Sequence, residues 1–169
     1  IMRELRAATG ETIHLMVREH DRAVLIERVE TEHPVRAVVP LGSSAPVHGS
    51  SNGKAMLAPL SEEEIRAIIG EQLVRYTANT IVDWAAFFAE LAEVRRRGYA
   101  VNLGEWRSDI TAVASAVFGA TGEPVASLSV SAPSNRMPAK ARARYGGKVA
   151  EAARRVSATL GHRQGPDPG

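Results

Sequence analysis

Apolar and small polar positions alternate most clearly between Ile110 and Ala132. Ile110 to Phe118 and Pro124 to Ala132 are strand-like runs rich in Val and Ser, separated by a Gly-bearing turn at Ala120 to Glu123, a pattern that predicts a β-hairpin. Whether the loop is Thr121-Gly122 or the longer Ala120 to Glu123, its centre is the same. Ala112 then faces Ser131, Ala114 faces Ser129 and Ala116 faces Ser127. Side chains alternate between the two faces of a sheet, so these alanines and serines share one face. The other carries Val113, Val117, Ala126, Leu128 and Val130, interrupted by Ser115. That apolar face is the one to bury under helices or a second layer. The Ala/Ser face leaves empty space and supplies donors and acceptors, which suits the floor of a pocket for a small polar ligand; the plainer alternative is a sheet face wetted by solvent.

The same reading along the rest of the chain gives a second hairpin and several helices. Ile1 to Ala8 has helix formers with apolar Met2 and Leu5, and Gly10 is placed as its C-cap. It opens without a capping residue, the expectation for a chain cut from something longer. Thr12 to Glu19 alternates, with Ile13, Leu15 and Val17 on one face, and Ala23 to Glu30 follows as its partner after a turn at His20-Asp21-Arg22. Val35 to Val39, bracketed by Pro34 and Pro40, reads as a short strand. A Gly/Ser/Pro-rich loop then leads into a helix through Pro59, capped by Ser50 or Ser51. Ser61 with Glu64 forms a capping box for a helix to Gly70. Trp84, Phe87, Phe88, Leu91 and Val94 fall at helical spacing on a core-facing helix from about Asp83 to Gly98. Pro138 opens a long final helix with Tyr145, Val149, Ala152, Val156 and Leu160 on its apolar face; Gly146-Gly147 is a candidate bend, and the helix ends at Gly161. Two hairpins, a loop-helix insertion and helices at both ends predict an α+β domain with a largely antiparallel sheet.

Composition removes several function classes. With 169 residues the chain fits one domain with a real core. It has no Cys, so disulfides, thiolate metal sites and thiol catalysis are excluded. The net charge of +2 is near neutral, and the basic residues are dispersed apart from Arg95-Arg96-Arg97, which sit in a helix's last turn where the dipole favours cations. No apolar stretch reaches membrane-spanning length and the first residues lack signal-peptide regions, so the expectation is a soluble, cytoplasmic protein.

The candidate chemistry thins out on inspection. Gly49-Ser-Ser-Asn-Gly53-Lys54 has three residues between its glycines where a nucleotide P-loop needs four, and Ala55 stands where magnesium needs a hydroxyl. His48 beside Ser50 and Ser51 lacks the elbow and the third, orienting group of a serine nucleophile. His14, His20 and His33 lack metal-ligand spacing and read as interior or turn histidines. Glu105 and Asp109, four apart beside Arg107, read as local salt bridging or capping.

The order VHGSSNGKAMLA, then TIVDWAAFFAELAEVRRRGYAVNLGE, then AVFGATGEPVASLSVSAPSNR and a final helix ending in LG resembles the C-terminal effector-binding domain of IclR-type transcriptional regulators. The resemblance covers residues 10–161, with 1–9 as the remnant of a linking helix and 162–169 as a disordered tail. It implies a GAF-like fold with a small-molecule pocket on one face of the sheet, and DNA binding through an N-terminal winged helix-turn-helix outside this chain. Carried over position by position, the pocket falls on Ser51, Asn52 and Gly53 as backbone N–H donors, on Asn102, and on Ala112, Ser129 and Ser131 of the hairpin. Asn52 replaces a usual small residue and Ala112 a thiol or hydroxyl seen in some members. Ala114 joins this floor, and Val35, Val38 or Leu41 are candidate apolar walls for an aromatic or short aliphatic body. The resemblance implies no catalytic residue, metal or cofactor, and a homodimer or tetramer, for which the apolar Met2 and Leu5 supply a contact in need of a partner. A sensor of a small carboxylate effector is the leading expectation; the alternatives are a small enzyme acting on an organic acid and a ligand-free dimerisation module.

Overall fold

The computed structural model describes residues 1–36 and 39–163. The chain runs α1 (Met2–Thr9), β1 (Thr12–Glu19), β2 (Arg22–Val29), β3 (Ser44–Pro46), α2 (Ser51–Leu57), α3 (Glu62–Ile69), α4 (Trp84–Arg97), β4 (Ala100–Leu103), β5 (Ile110–Phe118), β6 (Pro124–Pro133) and α5 (Ala139–Thr159), with one 3-10 turn at Ser134–Arg136. The strands form a 6-stranded sheet in the order β3-β2-β1-β6-β5-β4, and every pairing is antiparallel. This is the α+β class the sequence predicts.

The β5–β6 hairpin pairs Ala112 with Ser131, Ala114 with Ser129 and Ala116 with Ser127, the register read from the alternation. A slip of one residue would turn Val113, Leu128 and Val130 to the opposite face, so burial of that face fixes the pairing. Those side chains pack against Tyr145, Val149 and Ala153 of α5. Ser115 satisfies its hydroxyl by donating to the Gly98 carbonyl at 2.9 Å. Leu5 is buried in this same core and Met2 is partly covered by it. The α1 contact assigned from sequence to a second chain is therefore made within this one, because α1 folds back on α5, where the Tyr145 hydroxyl donates to Thr9 O at 3.0 Å.

The Ala/Ser face is divided. Its half at Ala114 and Ser127 lies under α2, every residue of which is buried. There Ala114 belongs to a core with Val47, Ala55, Leu57, Phe87 and Leu91. The other half, at Ala112, Ser129 and Ser131, is left uncovered by the helix. Small side chains on the sheet are what let α2 come this close.

The strand expected at Val35 to Val39 does not form at its described residues Val35, Arg36 and Val39, and Ala37 and Val38 lie outside the described residues. Flanking prolines withhold ladder donors and fix φ. The edge beside β2 is taken instead by β3, which pairs with Arg22 to Val24. Helix ends follow their signals. Ser61 and Glu64 form the reciprocal capping box, Asp83 accepts from Ala86 N at 2.8 Å, and Gly98 ends α4 at φ 79°. The expected bend at Gly146-Gly147 is absent: α5 is continuous from Ala139 to Thr159, and Gly146 is there to let the Tyr99 ring lie where a Cβ would be, 2.4 Å away. Of the tail expected to be disordered, residues 164–169 lie outside the described residues.

Candidate functional site

The uncovered half of the Ala/Ser face is the floor of a cavity of about 80 Å³. Ala112, Ser129 and Ser131 form the floor, and β1 adds His14 and Met16. The first turn of α2 and its cap contribute Ser50, Ser51 and Asn52, and β4 contributes Asn102. Trp106 and Arg107 from the connection into β5, with Ile110 at the start of that strand, close it opposite Leu25, Val39 and Ala45.

Of the residues expected from sequence, Ser51, Asn52, Asn102, Ala112, Ser129 and Ser131 are brought together here. Gly53 is not. Its N–H donates to the Ser50 hydroxyl at 3.1 Å, and its bare Cα lies against Val47, where a Cβ would meet the carbonyl oxygen at 2.1 Å. This glycine serves the close approach of α2 to the preceding turn, and its N–H is already taken. The Asn52 amide donates to Ser127 Oγ at 3.0 Å. Asn102 donates to Gly49 O at 2.6 Å and accepts from Glu105 N at 3.0 Å, so it clamps the cavity wall. Ala114 is under α2 and outside the cavity. Val35 and Leu41 are 68% and 58% exposed and form no wall, and Val38 lies outside the described residues. Met16, Leu25, Val39 and Ile110 take that part.

Two polar atoms in this lining are buried without a partner, Ser129 Oγ and His14 Nε2. Burial, then the charge of Arg28, push the His14 imidazole down to about 4, against a smaller opposing pull from Glu30. Besides the apolar Met16, Leu25, Val39, Ala45 and Ile110 and the cap Ser50, sequence reasoning missed His14, Trp106 and Arg107 in this lining. A signal existed for His14 alone: it shares a strand face with Met16, opposite Ile13 and Leu15.

Residues 1–158 match the family described as bacterial transcriptional regulator IclR C-terminal. The chain belongs to this IclR family. It is 37% identical over 166 residues to the HTH-type transcriptional repressor AllR of Escherichia coli K12, covering 98% of this chain and 61% of the relative. A Klebsiella pneumoniae AllR is 38% identical over 161 residues, 95% of this chain and 59% of that protein. The chain thus spans less than two thirds of the length of these relatives. Among solved structures, Thermotoga maritima IclR superposes with a TM-score of 0.89 at 30% identity, covering 95% of this chain and 66% of that one. The C-terminal domain of the E. coli regulator KdgR gives 0.83 at 31% identity, with 95% and 94% covered. The GAF-like architecture follows from these likenesses.

In this IclR domain the remaining polar candidates are structural. His48 Nε2 lies 2.9 Å from Val74 O, its ring sits against Tyr76 and Phe87, and burial lowers its pKa. Ser50 Oγ donates to Pro46 O at 2.8 Å while capping α2. Neither is free to pair as nucleophile and base. Glu105 is not paired locally with Arg107; its Oε1 lies 2.7 Å from Lys54 Nζ. Lys54, read from sequence only as a failed P-loop lysine, is a fully buried cation that also reaches Val101 O at 2.5 Å and Glu90 Oε1 at 3.3 Å. Among the described residues no group of His, Asp or Glu is placed to hold a metal ion, and no helix is long and apolar enough to cross a membrane.

Proposed function

We propose that this domain is the small-molecule sensor of a bacterial transcriptional regulator acting in the cytoplasm, and that its cavity binds a short aliphatic carboxylate. The observation that carries the reading is the Ser129 hydroxyl, buried without a partner in a cavity whose described lining holds Arg107 and no acidic side chain. A hydroxyl donating to a carboxylate makes a charge-assisted bond, roughly twice as strong as a neutral one. A cationic ligand would meet no counter-ion. Size narrows the class: a cavity of about 80 Å³ compares with about 150 Å³ for one that takes benzene, favouring an acid of about two to four carbons over an aromatic body.

Ligand with unequal affinity for two states biases the equilibrium between them. That bias is read out by a DNA-binding segment of the kind named in the longer HTH-type relatives. The engaged His48 and Ser50 support a sensor rather than an enzyme. The sheet edges β3 and β4, the latter with Leu103 46% exposed, are surfaces for a homodimer or tetramer. Light scattering at high micromolar concentration returns a multiple of the chain mass; a strictly monomeric mass overturns this part.

The sensor reading is tested by thermal unfolding of the domain with acetate, propionate, glycolate, lactate and pyruvate, each beside its neutral amide. A ligand that binds only the native state raises the melting temperature, by about 2.7 kcal/mol of stabilisation at a hundred times its Kd. At least one acid raises the midpoint and its amide does not. Equal shifts from acids and amides, or none from any acid, overturn the carboxylate reading.

A further inference from the structure

His14 sits in the middle of a cross-strand row. It is paired with Ser129 on β6 and with Arg28 on β2, and cross-strand neighbours of this kind share a face with Cβ atoms about 4.5–5.5 Å apart. His14 is 7% exposed and Ser129 0%. Each contributes one buried, unpartnered polar atom to the same cavity. An orphaned buried donor or acceptor lowers stability, and two side by side in one cavity mark a place where something else completes the bonds.

We propose that His14 Nε2 is a direct ligand contact of this cavity and that the imidazole takes up one proton from solvent as an acid's carboxylate enters, forming an imidazolium–carboxylate pair beside the Ser129 hydroxyl. This rests on the reading of the cavity as an acid site. The charged surroundings of His14 are few. From β2, Arg28 lies alongside, its guanidinium held by Glu30 at 2.9 Å and by the Val39 carbonyl. Arg107 lines the cavity from the connection before β5, while β6 and α2 present the neutral Ser129, Ser131, Ser51 and Asn52. In the free domain burial and Arg28 keep the ring neutral. A carboxylate in the cavity opposes both causes by placing a negative charge against the ring. Binding an anion thereby raises the pKa of His14 from about 4. The sign follows: affinity for the carboxylate form falls as pH rises through the window between the free and bound values of His14 and is flat above it.

The experiment is calorimetric titration of the domain with the acid of the five that gives the largest thermal shift. It is run at about pH 5.5 in MES and in piperazine, whose ionisation heats differ, and repeated toward neutral pH. Wild type takes up a measurable fraction of one proton at the lower pH, and affinity falls as that uptake fades. In His14→Leu the uptake disappears, affinity at about pH 5.5 falls about tenfold or more and the pH dependence is flat. The melting temperature of the free variant stays level or rises, because the orphaned atom is gone. His14→Asn keeps a hydrogen-bonding side chain that does not titrate; it retains part of the affinity without proton uptake, and carries the same test should the leucine variant fold poorly. Wild-type binding without proton uptake, or unchanged affinity and proton count in either variant, overturns the inference while leaving the acid site standing. Binding of no acid by wild type overturns both.

Discussion

Lys54→Met lowers the stability of the domain by about 3–5 kcal/mol. The Lys54 side chain is 1% exposed and that of Glu105 7%, so removing the cation strands a carboxylate in the interior. Glu105 cannot turn outward without cost. Its N–H is bonded to Asn102, its carbonyl accepts from Thr80 Oγ1 at 2.6 Å, and its Oε2 is already buried without a partner. The loss appears in urea unfolding as a lower midpoint at unchanged slope. The double variant Lys54→Met, Glu105→Leu recovers most of it, since replacing a buried pair by apolar groups is often neutral while halving the pair is not. Glu105 directly precedes Trp106 and Arg107, so the single variant also loosens that wall and weakens binding of the acid. A loss under about 1 kcal/mol would place the pair in water, where ion pairs contribute little.

What the sequence made legible was local. The Ala/Ser alternation specified the β5–β6 register, and Ser61 with Glu64, Asp83 and Gly98 marked helix ends that stand where their chemistry put them. Long-range pairing was not legible. β1 meets β6 through His14 and Ser129, residues far apart in the chain, and no periodicity links them, so His14 read as an ordinary interior histidine. Lys54 and Glu105, separated by 51 positions, were hidden for the same reason. Alternation placed Ala114 and Ser129 on one face but carries no information on where a helix stops covering that face. The boundary is set by how far α2 extends, and α2 is fixed by packing against Val47 and α4. At Val35, Arg36 and Val39 the expected strand failed differently: Pro34 and Pro40 lack N–H donors and fix φ at both ends of the run, and β3 takes the edge beside β2 instead.

Gly53→Ala is the substitution in which the site and the fold fail together. A Cβ there would lie 2.1 Å from Val47 O, 2.2 Å from its Cα and 2.5 Å from its carbonyl carbon. All three are backbone atoms, so no rotamer change relieves the overlap. Val47 is 0% exposed and anchored by its N–H to Asp21 O at 3.0 Å, which leaves α2 as the part that moves. Lifting α2 breaks the Asn52–Ser127 bond and pulls Lys54 away from Glu105, while Ser51 and Asn52 leave the cavity wall. The expected loss is at the upper end of overpacking, about 3 kcal/mol or more. For a domain of this size that is a fall of roughly 6–12 °C in melting temperature, accompanied by loss of acid binding. Two other glycines calibrate the measurement. At Gly146 the overlap is with the Tyr99 ring, a partly exposed side chain that can swing aside, so Gly146→Ala costs less. At Gly147 nothing lies within 4 Å, and Gly147→Ala stabilises the continuous α5 by up to about 1 kcal/mol through helix propensity alone. A melting temperature for Gly53→Ala within about 2 °C of wild type would mean that α2 is not seated on Val47, and the cavity built on its first turn would have to be abandoned with it.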